Sequence, residues 1–194
     1  MNTIHCTENS TVALLVIDVQ VAFQQQDKAG AQRCNPDAET RIAQLITGFR
    51  ANNLPVIHVH HHSLEPNSLF RAELPGSAVQ SFAAPINNES VYIKNVNSAF
   101  IGTSLEQDLH TAGIDTLIMC GATANHCVET STRMAGNLGF RTFYISDAVW
   151  AYEATGPDGV THTAEEVLSM SVCNLNGEFA AVINTEQAIN DLLN

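Results

Sequence analysis

Six short, almost unbroken apolar runs alternate along this chain with segments of helical period. The runs are residues 13–19 (ALLVIDV), 55–60 (PVIHVH), 91–94 (VYIK), 116–120 (TLIMC), 141–146 (RTFYIS) and 180–184 (AAVIN). Runs that lack polar alternation suit strands covered on both faces, as in a parallel sheet. Strand–helix alternation with short links then implies right-handed crossovers and helices on either side. The expected fold class is α/β, a three-layer α-β-α sandwich around a six-stranded, mainly parallel sheet. A length of 194 residues with no repeat, low-complexity tract or linker fits one domain, 1–194.

The helices between the runs carry readable ends. Asn35 can cap a helix with Pro36 at its first position, and Ala38, Ile42, Leu45, Ile46 and Phe49 then form an apolar stripe. Thr103 with Glu106, and Thr163 with Glu166, match the capping box. Leu105, Leu109 and Ala112 follow the first box, and Gly113 stops that helix. Residues 127–138 read as a further helix closed by Gly139, and residues 186–193 as a last one. Two stretches stay irregular: residues 63–90, long enough to act as a lid or binding segment, and residues 150–161.

A formal charge of −12 argues against nucleic acid and anionic membranes as partners. The five cysteines, Cys6, Cys34, Cys120, Cys127 and Cys173, form neither a disulfide framework nor a Cys-x-x-Cys metal pattern. Cys120 and Cys173 fall in apolar-periodic segments and read as buried. The first six residues lack a basic stretch leading into an apolar one, and no run approaches a membrane span. A reducing cytoplasm is the expected compartment. No Gly-x-Gly-x-x-Gly or P-loop follows the first run, so no nucleotide or other organic cofactor is signalled.

Open α/β sheets bind ligands beyond the carboxyl ends of their strands. Asp18 ends the first run, Lys94 ends the third, and Cys127 lies just past the fourth. All three therefore belong to one edge of the sheet. Cys127 also precedes a helical pattern, where free N–H groups and the helix dipole favour an anion, so a lowered thiol pKa is expected. Taken singly, an aspartate or lysine at a strand end is usually a turn or solvated residue, and a lone cysteine is usually inert. Their joint placement points to a cysteine nucleophile with an acid and a cation.

The chain resembles the isochorismatase-like cysteine hydrolase superfamily, which includes nicotinamidases, carbamoylsarcosine amidases and ureidoacrylate amidases. The matching pieces are Leu15-Val16-Ile17-Asp18-Val19-Gln20 with Phe23, then Lys94 with Ser98-Ala99-Phe100 and Thr103-Ser104-Leu105. Gly113-Ile114, Gly121-Ala122-Thr123 through Cys127-Val128-Glu129-Thr130, and Asp147-Ala148 continue in the same order. The resemblance implies a strand order of 3-2-1-4-5-6 and a catalytic triad of Asp18, Lys94 and Cys127. It also implies a cis peptide between Ala122 and Thr123, an oxyanion hole from the Thr123 and Cys127 backbone N–H groups, and an oligomer, with a dimer favoured. The implied activity is cleavage of a C–N bond in a small amide. Vinyl-ether hydrolysis of isochorismate, needing acid chemistry at Asp18 but no thiol, stays open, as does a non-catalytic binding subunit.

Substrate contacts are expected from Phe23, His61, His62, Phe100, Asn125 and Trp150, with Tyr152 as a further pocket candidate and His126 facing either substrate or solvent. Related nicotinamidases bind a metal near the second strand end through an Asp-x-His pair. Here His58, His60, His61 and His62 occupy that place without the aspartate, so a polar pocket wall is the preferred reading and no metal is assigned. Strand geometry puts His58, His60 and His62 on one face and turns His61 away. Glu65 and Arg71 in the long loop read as solvated surface.

Overall fold

The computed structural model describes residues 11–193; Cys6 and the opening six residues lie outside it. The strands are β1 (Thr11–Ile17), β2 (Val56–His61), β3 (Ser90–Lys94), β4 (Ile114–Ala122), β5 (Arg141–Trp150), β6 (Ala154–Thr155), β7 (Thr161–His162) and β8 (Ala181–Ile183). The helices are α1 (Val21–Lys28), α2 (Ala38–Ala51), α3 (Leu105–Thr111), α4 (Glu129–Asn137), α5 (Ala164–Leu175) and α6 (Thr185–Leu193). The main sheet has six strands in the order β3-β2-β1-β4-β5-β8, and every pairing in it is parallel. Counting only its own strands, this is the 3-2-1-4-5-6 order. β6 and β7 form a separate antiparallel hairpin inside the stretch read as irregular.

Alternation within each strand divides the core in two. Ala13, Leu15 and Ile17 of β1 point toward Leu105 and Leu109 of α3, Ala135 of α4 and Leu175 of α5. Val12, Leu14 and Val16 point the other way, toward the stripe Ile42, Leu45, Ile46 and Phe49 of α2, with Phe23 of α1 and Ala188 of α6. Both faces of β1 are thus covered, which is why it carries no polar residue from Val12 to Ile17, whereas Val91 and Ile93 of the edge strand β3 stay exposed.

Several local expectations are corrected. Asn35 is not the cap of α2, whose first residue is Ala38 after Asp37. Asn35 instead sits at φ +50° and donates from Nδ2 to the carbonyls of Ser146 and Val149, at 2.8 and 2.7 Å. Those acceptors lie where β5 slips its register against β4, so a side chain satisfies backbone groups the ladder leaves over. The Thr103 box does not form, because Thr103 Oγ1 donates to the Ala99 carbonyl at 2.6 Å and α3 starts after Ser104. The Thr163–Glu166 box closes α5 in both directions. Cys173 is exposed, since it falls on the outer side of α5, whereas Cys120 is buried. The helix α1 was not legible as a segment of its own.

The long stretch 63–90 is pinned to the body. Gln20 Nε2 donates to the Ser77 carbonyl at 2.8 Å, the Gln80 N–H donates to the Val19 carbonyl at 3.0 Å, and Gly76 lies against α1. Among the described residues, no helix is long and apolar enough to cross a membrane.

Candidate active site

In this strand order the chain runs outward from β1 through β2 to β3, then returns to lay β4 on the other side of β1. The reversal puts the crevice at the carboxyl ends of β1 and β4. Asp18 follows β1 directly and turns the chain at φ +51°, and its N–H donates to the Val59 carbonyl at 2.8 Å. Gly121 of β4 stands opposite Ile17. A Cβ there would lie 2.0 Å from the Ile17 carbonyl oxygen, so only glycine lets β4 close onto β1 beside Asp18. On the other side, His61 of β2 is in register with Lys94 of β3. Gln20 continues the ladder with its side chain, accepting from the His61 N–H at 2.8 Å and donating to the His61 carbonyl at 3.0 Å.

The structure brings Asp18, Lys94 and Cys127 together. Lys94 Nζ donates to Asp18 Oδ2 at 2.7 Å, and both side chains are buried. His61 Nδ1 lies 3.4 Å from the same ammonium. Asp18 Oδ1 is buried with no hydrogen bond of ordinary geometry, while the Cys127 side chain stands near enough for each group to bias the other's proton. The Cys127 thiol also points at Asn97 Oδ1, 3.8 Å away.

The expected lowering of the Cys127 pKa is corrected. A single π-helical turn, Ala124–Val128, holds Cys127, and α4 begins only at Glu129. Burial pushes the thiol up to about 12, and the Asp18 charge adds to the rise while Lys94 opposes it. Burial likewise raises the Asp18 carboxyl above its usual 3.8, against the pull of Lys94. These shifts favour a protonated sulfur beside a carboxyl group with an unused oxygen. The Ala122–Thr123 peptide is cis, as the resemblance implies, and the Thr123 carbonyl accepts from the N–H groups of His126 and Val128, each at 3.2 Å.

A cavity of about 310 Å³ opens over this group. Phe23, His61, Thr123, Asn125, His126, Cys127 and Tyr152 are among the residues that line it. Three other expectations are corrected. Phe100 lies in the core, stacked on Phe140 at 6.0 Å. Trp150 is fully buried against Phe23, with ring centroids 5.4 Å apart, and the Arg33 guanidinium lies 4.8 Å from the Trp150 ring centroid. His62 does not reach the cavity; its N–H donates to the Lys94 carbonyl at 2.8 Å.

Of the four clustered histidines only His61 lines the cavity. His58 turns to the opposite face and bonds Glu89 Oε2 at 2.8 Å, and burial lowers the neighbouring His60 to about 4. Among the described residues no three histidine, cysteine or acidic side chains gather in a metal-binding arrangement.

Asn97, Phe70, Gln26 and Glu153 line the cavity without having been singled out. Asn97 lies three residues past Lys94, so the strand-end rule that finds the lysine reaches it too. Phe70 comes from the long loop and meets Phe23 edge-on at 4.9 Å, a contact no periodicity announces.

A fully parallel sheet of this order, with acid, ammonium and thiol at its switch point, defines an α/β hydrolase domain of the isochorismatase type. The chain belongs to the isochorismatase family: the Isochorismatase domain model matches residues 12–187. It is 39% identical over 181 residues to YrdC of Bacillus subtilis, an uncharacterised isochorismatase family protein, covering 93% of this chain and 96% of that one. Nicotinamidase 3 of Arabidopsis thaliana is 25% identical over 199 residues, covering 95% and 91% of the two chains. A crystal structure from Chromobacterium violaceum, assigned to the same family, superposes with a TM-score of 0.92 at 36% identity, covering 99% and 98%.

Proposed function

We propose that this hydrolase cleaves the C–N bond of a small amide through a thioester on Cys127. The observation that carries the reading is the Asp18 carboxyl: Lys94 holds one oxygen at 2.7 Å, and the other is buried and unpaired beside the thiol. Cys127 sulfur attacks the carbonyl carbon as its proton passes to Asp18. The Thr123 and Cys127 N–H groups receive the oxyanion. When the C–N bond breaks, Asp18 returns the proton to the leaving nitrogen, and ammonia or an amine departs. Water then adds to the thioester, gives a proton to Asp18, and releases the acid with the thiol restored. Lys94 holds Asp18 in place and offsets the negative charge that shifts between carboxylate and sulfur. A nicotinamidase among the relatives supports amide chemistry in this family.

The second reading, vinyl-ether hydrolysis of isochorismate, uses Asp18 as an acid and leaves Cys127 idle. A panel of small amides assayed for ammonia or amine release, with isochorismate for comparison, separates the two. Amide turnover with an acyl adduct on the Cys127 peptide is the expected result, and turnover of isochorismate alone would contradict it.

The pH dependence follows from the same carboxyl. Asp18 must be ionised to accept the proton, and burial raises its pKa, so kcat/KM falls toward acid with a midpoint above 3.8. An acid limb centred at or below that value would contradict Asp18 as the base.

A further inference from the structure

We infer that the cavity selects a neutral or cationic small amide and turns away carboxylate-bearing ones, with Glu153 at its mouth as a specificity-determining residue. This rests on Cys127 being the nucleophile.

Among the described residues two carboxyl groups, Asp18 and Glu153, line the cavity, and no lysine or arginine does. The Lys94 ammonium nearby is fully buried and committed to Asp18. His61 cannot stand in for a cation, because burial and then the Lys94 charge lower its pKa. His126 has both ring nitrogens engaged, Nδ1 at 3.2 Å from Thr123 Oγ1 and Nε2 at 3.3 Å from Asn125 Nδ2. Arg33 nearby is held by Asp27 at 3.4 Å and Glu39 at 3.7 Å, and Arg71 of the long loop pairs with Glu73.

Glu153 is exposed and makes no ion pair among the described residues. The remaining walls are neutral. Gln26, Asn97 and Asn125 offer amide groups, and Phe23, Phe70 and Tyr152 offer aromatic surface that suits a planar or cationic guest. The Tyr152 hydroxyl is committed to Asp27, donating to it at 2.7 Å. A substrate carboxylate would therefore give up its hydration and meet like charge with no cationic partner. The chain's charge of −12 extends the same bias to the approach.

Iodoacetamide and iodoacetate test this without knowledge of the substrate, because they differ by one amide against one carboxylate. In each case sulfur displaces iodide, and the thiol proton is lost. Peptide mass spectrometry follows both reagents at Cys127 and at Cys173, an exposed thiol in the same chain that serves as reference. At low salt the amide-to-acid rate ratio at Cys127 is expected to exceed that at Cys173 by about tenfold or more. Glu153→Gln is expected to narrow that excess by about threefold, and Glu65→Gln, an acid off the cavity, to leave it in place. Equal ratios at the two cysteines, or an excess untouched by Glu153→Gln, would overturn the inference. Labelling of Cys173 with neither reagent reaching Cys127 would instead overturn the nucleophile reading, and this inference with it.

Discussion

Alanine at Cys127 is expected to lower amide hydrolysis by about 10⁴-fold or more, because no other group at the cavity floor can form the thioester. Asn97, Thr123 and Asn125 line the cavity with Cys127, and none is a nucleophile that Asp18 could activate comparably. Folding should survive the change, since Cys127 is only partly buried and loses a single heavy atom; a shift within about 1 kcal/mol is expected. Steady-state kinetics of purified variant and parent, alongside chemical denaturation, check both halves. Amide turnover within tenfold of the parent would rule out covalent catalysis at this sulfur.

Methionine at Lys94 is expected to cost about 3–5 kcal/mol of stability at neutral pH, because it strands the Asp18 carboxylate in the interior without its counter-charge. The sign of the pH dependence follows. Burial already holds the folded pKa of Asp18 above 3.8, and Lys94 is the largest influence pulling it down. Without the lysine the pKa rises further. A carboxyl raised on folding contributes stability that is present below its unfolded pKa and lost as pH rises through the folded one. The deficit of Lys94→Met should therefore be large at pH 7 and shrink toward pH 4, measured by denaturation at each pH. The double variant with Asp18→Asn, which removes the stranded charge, should recover part of the loss. A deficit independent of pH would mean that Lys94 matters for packing alone.

The strands and the sheet edge that carries their carboxyl ends were legible because the relevant signals are local, whereas the strand order, and with it the switch point, came from the family resemblance. Near-continuous apolar runs mark strands buried on both faces, and the placement of Asp18, Lys94 and Cys127 at run ends follows from chain direction. What escaped was decided by contacts between distant segments. Trp150 looks like a pocket aromatic because the sequence places it in an irregular stretch, but β5 runs as far as Trp150 itself and buries it against Phe23. Phe100 is drawn into the core by Phe140. Asn35 carries a capping residue's signature yet spends its amide on two carbonyls over a hundred positions away. The sulfur's pKa went astray for a related reason. Helix dipole can be read from a local pattern, whereas the burial and the Asp18 charge that outweigh it arise only when the sheet assembles.

The most direct test of Asp18 as the acceptor of the Cys127 proton is the alkylation rate of Cys127 at neutral pH in the parent and in Asp18→Asn. The two possible roles of the carboxylate give opposite signs. As a passive negative charge it raises the thiol pKa, so removing it would speed alkylation. As the base that takes the proton, its removal slows the reaction. With iodoacetamide, and the exposed Cys173 as reference, Cys127 is expected to react faster than Cys173 in the parent and markedly more slowly in Asp18→Asn. An unchanged or faster Cys127 in a folded Asp18→Asn protein would contradict the proton transfer on which the proposed hydrolysis depends.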